Sequence, residues 1–315
     1  MTLTQLSAFV LTARLGSVRA AADALGVSEP AVSQALTALR QHLGDALLVR
    51  GSSGMALTAG GTRLLPVASQ MVALGAEAEG VVRAAQGAPE RLRLVATSTI
   101  AEFVVTPLVD TFGALMGGTV EVSSGVAAAA EMPVLVSNRL ADVALGPQLR
   151  AGPGAALSSE PIFRCHLVAV SAPTSAPHGP AASWQWLVDP AGTDPATDTG
   201  RLLRLLGVPD ERVRVFPSQT ATWEAAAGGA GVAAANAHLV TGRLRRGELR
   251  LIETPATPLP SDWYVTTLAA ERTPTPASSM RQFLATPRAM QQMRSPGTGV
   301  PPSRFRPPVY VTIWS

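Results

Sequence analysis

Residues 17–44 read SVRAAADALGVSEPAVSQALTALRQHLG, two short helical patterns about a glycine, and this stretch decides the fold. Ser17 suits an N-cap for a helix over 20–25 whose alanines permit close packing, and Gly26 stands where a C-terminal glycine belongs. After the turn at Gly26-Val27, Ser28 caps a third helix with Glu29 and Pro30 in its first turn, where an acid suits the dipole and proline loses no hydrogen bond. Val32, Ala35, Leu36, Leu39 and Leu43 fall on one face, leaving Glu29, Ser33, Gln34, Thr37, Arg40 and Gln41 toward solvent. Before this pair, Leu3, Leu6, Phe9 and Val10 mark a first helix that stops near Gly16. Two short helices about a glycine turn, the second with a polar face, form a helix-turn-helix signature.

Working outward, Leu47-Leu48-Val49-Arg50, the turn 51–54 and Met55-Ala56-Leu57 read as the two strands of a β-wing. Thr58 then caps a long helix. Along it Leu64, Ala68, Met71, Gly75, Ala78, Val82 and Ala85 alternate in steps of four and three, the spacing of a dimer seam. Beyond a hinge at 87–90 the chain alternates β-like and helical runs: strands 92–97, 119–123 and 143–145 with helices 102–115 and 132–138. A second set follows with strands 165–170, 212–216 and 232–234 and helices 201–206 and 221–228, then a strand over 263–268 and a helix over 278–293. This rhythm predicts an α/β region with a mainly parallel sheet.

The expected organisation is a winged helix-turn-helix domain at 1–58, a dimerisation linker helix at 59–87 and a regulatory domain at 88–293. Residues 294–315, rich in Pro and Arg, read as a disordered tail in which 309–314 has strand-forming residues.

Composition narrows the chemistry. With 315 residues, 47% apolar and 15% charged, the chain is expected to fold as a globular protein of about two domains. All 25 basic residues are Arg, so every chemistry that requires lysine is excluded, including a Walker loop and a pyridoxal Schiff base. Five of those Arg lie in 281–315 with no acid, leaving 20 Arg against 22 acids in the remainder, a net of −2. A globally basic nucleic-acid binder is therefore not what composition shows. One cysteine, Cys165, and four scattered His give no disulfide and no metal-ligand spacing, and Cys165 reads as an inert strand residue. No apolar run approaches the ~18 to 20 residues of a membrane span and the first residues lack a basic leader, so a cytoplasmic protein with no membrane partner is expected. Neither a catalytic set nor a metal or cofactor site is predicted, and the chain does not read as an enzyme.

Residues 17–65 closely resemble the LysR-type transcriptional regulators. The matching residues are Ser17, Arg19-Ala20-Ala21-Ala22-Asp23-Ala24-Leu25, Ser28-Glu29-Pro30-Ala31-Val32-Ser33, Leu39, Leu43-Gly44, Leu47-Leu48-Val49-Arg50 and Leu57-Thr58-Ala59-Gly60-Gly61. A weaker resemblance runs on through Thr106-Pro107-Leu108 with Phe112, residues 140–146, Gly228-Gly229-Ala230-Gly231-Val232 and Gly247-Glu248-Leu249, and omits the tail. It implies a winged helix, a dimerising linker helix, and a two-subdomain regulatory region shaped like a periplasmic binding protein, with one subdomain from 91–161 and 266–293 and a second from 162–265, assembled as dimers and commonly as tetramers. The family commonly has Gln where Glu29 stands and a second basic residue where Ser53 stands. Glu29 can accept from a cytosine amino group in place of the bidentate amide pair with adenine, so the half-site should differ from the common one.

For the DNA contact, a helix N-terminus in the major groove presents Ser28, Glu29, Pro30, Ser33, Gln34 and Thr37 to base edges, with Gln34 placed for adenine. Arg50 and the hydroxyl and amide of Thr58 are expected to hold phosphates of double-stranded promoter DNA. In an open α/β sheet, ligands sit beyond the carboxyl ends of strands, which singles out Ser98, Thr99, Ser124, Gly125, Gly146, Pro147, Thr193, Gln219 and Thr220 for a small-molecule effector. Helix N-termini there suit an anionic metabolite. The expected function is an effector-controlled transcriptional regulator, with RNA polymerase as a further partner. A ligand-independent repressor or architectural DNA-binding protein is the alternative, and an enzyme with a DNA-binding appendage finds no GxSxG, metal set or lysine to support it.

Overall fold

The computed structural model describes residues 1–51, 54–85, 87–149, 156–174, 177–269, 273–295 and 309–310. Helix α1 (Leu3–Leu15) opens with a reciprocal cap, in which the Thr2 amide donates to Gln5 Oε1 at 2.9 Å and the Gln5 amide to Thr2 Oγ1 at 3.3 Å. It ends at Gly16 in the left-handed region, φ 76°. Helix α2 (Val18–Leu25) starts two residues earlier than expected, because Ser17 Oγ accepts from the Ala20 amide at 3.0 Å. Gly26, φ 66°, turns the chain into α3 (Glu29–Leu43). Ala20, Ala21 and Ala22 are buried, so three helices approach closely around Leu6, Phe9, Val32, Leu36 and Leu39. Strands β1 (Leu48–Gly51) and β2 (Gly54–Leu57) form the antiparallel wing, with Leu48 opposite Leu57.

Helix α4 (Ala59–Ala85) is fastened to the wing at its first turn. Thr58 Oγ1 donates to Asp45 Oδ1 at 2.8 Å and accepts from the Gly61 amide at 2.9 Å, while the Leu47 amide donates to the same Asp45 oxygen at 2.7 Å. These bonds to its charged form hold the Asp45 carboxyl below its usual range. A Cβ on Gly61 would collide with the Leu47 carbonyl oxygen, and one on Gly60 with the Asp45 carboxylate. The Gly-Gly pair is therefore set by this close approach. Gly61→Ala is expected to cost about 1–3 kcal/mol, the range of an overpacked core position. Gly113→Ala meets nothing within 4 Å and is expected to be neutral or slightly stabilising. Equal urea midpoints for the two variants would contradict this reading.

The structure divides the expected seam. Ala68 is fully buried in the N-terminal core, Leu64 packs on that core, and Gly75 lies against the Leu3 side chain. Met71, Ala78, Val82 and Ala85 are exposed, and with Val67 (52% exposed) and Leu74 (62%) they make a stripe in steps of four and three alongside the buried face. The small residues serve close contact with α1, so half of the heptad pattern belongs to the chain's own domain.

The rest of the chain forms two lobes. The first holds β3 (Glu90–Ala96), helix α5 (Ser98–Leu115), β4 (Val120–Val126), α6 (Met132–Ser137), β5 (Val143–Gly146) and β6 (Leu157–Phe163). The second holds β7 (His166–Ser171), β8 (Trp186–Val188), α7 (Asp198–Leu205), β9 (Val213–Val215), α8 (Gln219–Ala227), β10 (Val232–Asn236), α9 (Ala237–Arg245), β11 (Arg250–Ile252) and β12 (Leu259–Pro260). Strand β13 (Trp263–Leu268) returns to the first lobe, followed by α10 (Thr275–Leu284) and α11 (Pro287–Arg294). The tail contributes β14 (Val309–Tyr310), which pairs in parallel with Gly125 and Val126, so this part of a stretch expected to be disordered joins a sheet. The strand orders are β14-β4-β3-β5-β13-β6 in one lobe and β11-β7-β10-β8-β9 with β12 on β7 in the other. β3, β4 and β5 are parallel, whereas β13 runs antiparallel to β5 and β6.

The sheets exchange chain between Phe163 and His166 and again between Pro260 and Trp263, a few residues from the expected 161/162 and 265/266 junctions. Phe163 and Trp263 therefore stay in the first core, packed on each other at 5.3 Å between ring centroids. Cys165, expected in a strand, sits on the crossing itself, and burial pushes its thiol up to about 12. A thiol so raised is scarcely ionised at neutral pH. Asp142, in the motif Leu140-Ala141-Asp142, is buried and accepts from Arg93 through the amide (2.8 Å), Nε (3.1 Å) and a guanidinium NH2 (2.9 Å), tying the start of β5 to β3.

Helix α5 begins at Ser98, four residues before the expected start, and carries one π-type turn over Ala101–Val105. Its 18 residues reach the length and apolarity of a membrane span, contrary to the sequence expectation. Ile100, Val104, Val105, Leu108 and Phe112 are nevertheless buried in the first-lobe core, which is what a core helix does with such a composition.

Candidate nucleic-acid interface and effector cleft

At the reading head, Ser28, Glu29, Pro30, Ser33, Gln34 and Thr37 are all exposed on one side of α3. Ser28 occupies the N-cap position without a side-chain cap bond, so its hydroxyl points to solvent uncommitted. Thr37 differs, because its hydroxyl donates to the Ser33 carbonyl at 2.8 Å. Arg40, expected in solvent, is half-buried and reaches the Leu48 carbonyl of the wing at 3.4 Å.

Thr58 is corrected as a phosphate contact. Its amide donates to the Leu47 carbonyl at 3.0 Å and its hydroxyl is committed to Asp45 and Gly61, so neither donor is free. The Arg50 backbone pairs with Met55, but its side chain, like Ser53, lies outside the described residues. Arg19, in the first turn of α2, and Arg63, in the second turn of α4, are exposed cations that the sequence reading did not single out.

Between the lobes lies a cavity of about 710 Å³. Ser98, Thr99, Gly146, Pro147, Thr193 and Gln219 line it. Ser124 and Gly125 do not: β4 runs on to Val126, so both are held within the strand opposite Leu94 and Val95, and residues 126–129 reach the cavity instead. Thr220 is likewise outside the lining, its amide and hydroxyl donating to Glu102 Oε1 at 3.1 and 2.5 Å.

Two sets of bonds cross from lobe to lobe. Glu102, on the π-type turn, accepts from the Gln219 and Thr220 amides at the start of α8, and Ser98 Oγ donates to Asp189 Oδ2 at 3.0 Å. At the floor, Asn236 Nδ2 donates to Ser261 Oγ (3.0 Å), which donates to Asp198 Oδ2 (2.6 Å). The Gln219 side chain is spent within its own lobe, donating to the Ala234 carbonyl at 2.8 Å.

The charge of this lining was not read from the sequence. Glu102, Glu131, Asp189, Asp194, Asp198 and Asp262 face the cavity, and no Arg or His is among its lining residues. Burial, with repulsion from Asp194 and Asp23, pushes Glu131 up to about 7, and burial also raises Asp189 and Asp198. Asp189, Asp194 and Asp198 fall within ten residues of chain, the one signal that could have been noticed. Among the described residues no group of His, Cys, Asp or Glu is arranged to hold a metal ion.

Glu131 also stands at the junction with the reading head. It precedes α6 and its Oε2 accepts from the Ala128 amide at 2.9 Å. Val134 of α6 and the following Leu140 pack on the N-terminal core, and Ala24 of α2 packs on the cluster containing Leu135.

A winged helix-turn-helix joined by a long helix to a two-lobed α/β domain around a cavity defines a ligand-binding class of DNA-binding regulator. The family model described as bacterial regulatory helix-turn-helix protein, lysR family, matches residues 3–62, and the LysR substrate binding domain matches residues 85–287. The chain belongs to the LysR family: it is a DNA-binding transcriptional regulator with an effector-binding domain.

The uncharacterized HTH-type transcriptional regulator Rv0377 of Mycobacterium tuberculosis is 32% identical over 100% of both chains. Among solved structures, a full-length AphB variant superposes with a TM-score of 0.59 at 18% identity, covering 90% of this chain and 98% of that one. DarR of Vibrio fischeri, solved in complex with DNA, gives 0.50 at 18% identity over 91% and 99% of the two chains.

Proposed function

We propose that the chain works as a homodimer, with tetramers formed by pairing dimers, and that it reads palindromic promoter sites in the cytoplasm. The observation that carries this reading is the exposed polar start of α3, with an uncommitted Ser28 hydroxyl, on a domain whose linker helix leaves an apolar stripe in solvent. Ser28, Glu29, Pro30, Ser33 and Gln34 contact base edges, Thr37 contributes only its acceptor, and Arg50, Arg19 and Arg63 hold phosphates. Residues 1–60 contain four Arg against three acids, so one head alone binds weakly and two linked heads supply the affinity. The effector enters the cavity between the lobes and alters their closure, which the Glu102 and Ser98 bonds now hold. Helix α6 touches both that cavity, through Glu131, and the reading head, and is the element through which closure reaches the DNA.

Footprinting on the DNA that flanks this reading frame tests the function directly, with protection of two half-sites about one helical turn apart as the expected result. Gln34→Ala should lower discrimination at one base-pair position by about 1–3 kcal/mol per half-site. Arg50→Ala should instead weaken specific and random duplexes alike. Equal losses on both duplexes for both variants would refute that division of labour.

A further inference from the structure

We propose that the effector is a cationic small molecule, an amine or guanidinium compound, seated between Glu131 of the first lobe and Asp194 of the second. This rests on the reading that the inter-lobe cavity is the effector site, and adds its chemical class. The site itself is given by the cavity and by the family of the domain that encloses it; the charge of its lining then selects the ligand.

Of the six carboxylates, Glu102 caps α8 with both oxygens and Asp189 accepts from Ser98 Oγ and the Gly192 amide with both of its own, while Asp198 accepts from Ser261 Oγ through one oxygen, with Asp262 of the same crossing beside it. Glu131 and Asp194 each spend one oxygen on a neighbouring amide, Ala128 for the former and Ala196 for the latter, and keep the other for a ligand. They lie close enough to repel each other, on opposite lobes, with no basic side chain in the lining to offset them. Burial that drives Glu131, Asp189 and Asp198 upward shows that the cavity holds negative charge at a cost. An anion would add to that cost. The unpaired amides at the start of α5 favour an anionic group, but a helix terminus carries about half a unit charge against six carboxylates. A cation with two or more donors spans Glu131 and Asp194 and joins the lobes.

The test is isothermal titration calorimetry on the full-length protein at pH 7.5 with L-arginine, agmatine and putrescine, and with succinate, benzoate and glucose as anionic and neutral comparators. The expected result is that at least one cationic probe binds and no comparator does. Glu131→Gln and Asp194→Asn keep an acceptor for the Ala128 and Ala196 amides while removing charge, and each should weaken that probe tenfold or more. Asp210→Asn removes the same charge from an exposed position outside the cavity and should leave its affinity unchanged. Binding of a comparator in place of the cations overturns the charge assignment but leaves the cavity as the effector site. Silence of every cationic probe, or equal weakening by all three variants, also overturns it.

Discussion

Leu74→Glu is expected to convert the protein to monomers and to weaken binding to a palindromic duplex 100-fold or more. Leu74 is 62% exposed at the centre of the stripe formed with Val67, Met71, Ala78 and Val82. A single chain gains nothing from leaving these side chains in water, and pairing the stripe with a copy of itself buries them. Glutamate there places like charges against each other across a two-fold seam, while in the monomer it stays in solvent on a helix that tolerates it. The chain should remain folded, with an unchanged melting temperature in the monomeric state. The loss on DNA follows because linking two heads multiplies affinity by about 10²–10⁴ through effective concentration. Ala78→Glu lies on the same stripe and should act alike, whereas Ala68→Glu would place a charge in the head's own core and unfold it. A light-scattering mass at or above the dimer for Leu74→Glu would remove the seam from the account.

The second large effect is in acid. The His238 ring packs edge-on against both Phe163 and Trp263, at 4.8 and 5.1 Å between centroids, with neither nitrogen hydrogen-bonded. Burial lowers its pKa from 6.5 to about 4. The folded state therefore binds this proton less readily than the unfolded chain, so the stabilisation is complete above pH 6.5 and is lost as pH falls through 4. It amounts to about 2–3 kcal/mol, allowing for partial solvent screening of the ring.

Glu131 acts in the opposite sense: with its pKa raised to about 7, its contribution is present below the usual carboxylate range and lost as pH rises through 7. His238→Leu should flatten the loss of stability between pH 6.5 and 4.5, and Glu131→Gln should stabilise the protein above pH 7. Urea midpoints at pH 4.5, 6 and 7.5 read both. Curves for His238→Leu that stay parallel to the parent across this range would show that the ring is not held neutral by burial.

The helix-turn-helix was legible because its signals are local. Ser17, Gly26 and Ser28 sit at helix ends where side-chain oxygens and a left-handed glycine act within a few residues, and the structure uses each position as its chemistry suggests, apart from the free Ser28 hydroxyl. The α/β rhythm was legible for the same reason. What escaped depends on contacts distant in sequence. Thr58 looks like a free phosphate donor until Asp45 and Leu47 arrive from the wing. Ala68 and Gly75 keep heptad spacing with Met71 and Ala78, yet only the position of α1 decides which of them face inward.

The cleft shows the same limit. Ser98, Thr99, Gly146 and Thr193 were found by the rule that ligands sit at strand ends, and Ser124 and Gly125 were lost when β4 ran past its expected end. The six acids come from four separate stretches of the chain, and their summed field exists only once the lobes close around it. An anionic effector follows from counting helix termini; counting carboxylates leads instead to the cation proposed above.

The most direct test of the whole account is competition binding. A palindromic duplex selected from a random pool by the purified oligomer is set against a scrambled duplex of the same composition at physiological salt. The account predicts a preference of at least 10³-fold, abolished as dimers dissociate in Leu74→Glu. Equal affinity for the two duplexes would contradict it.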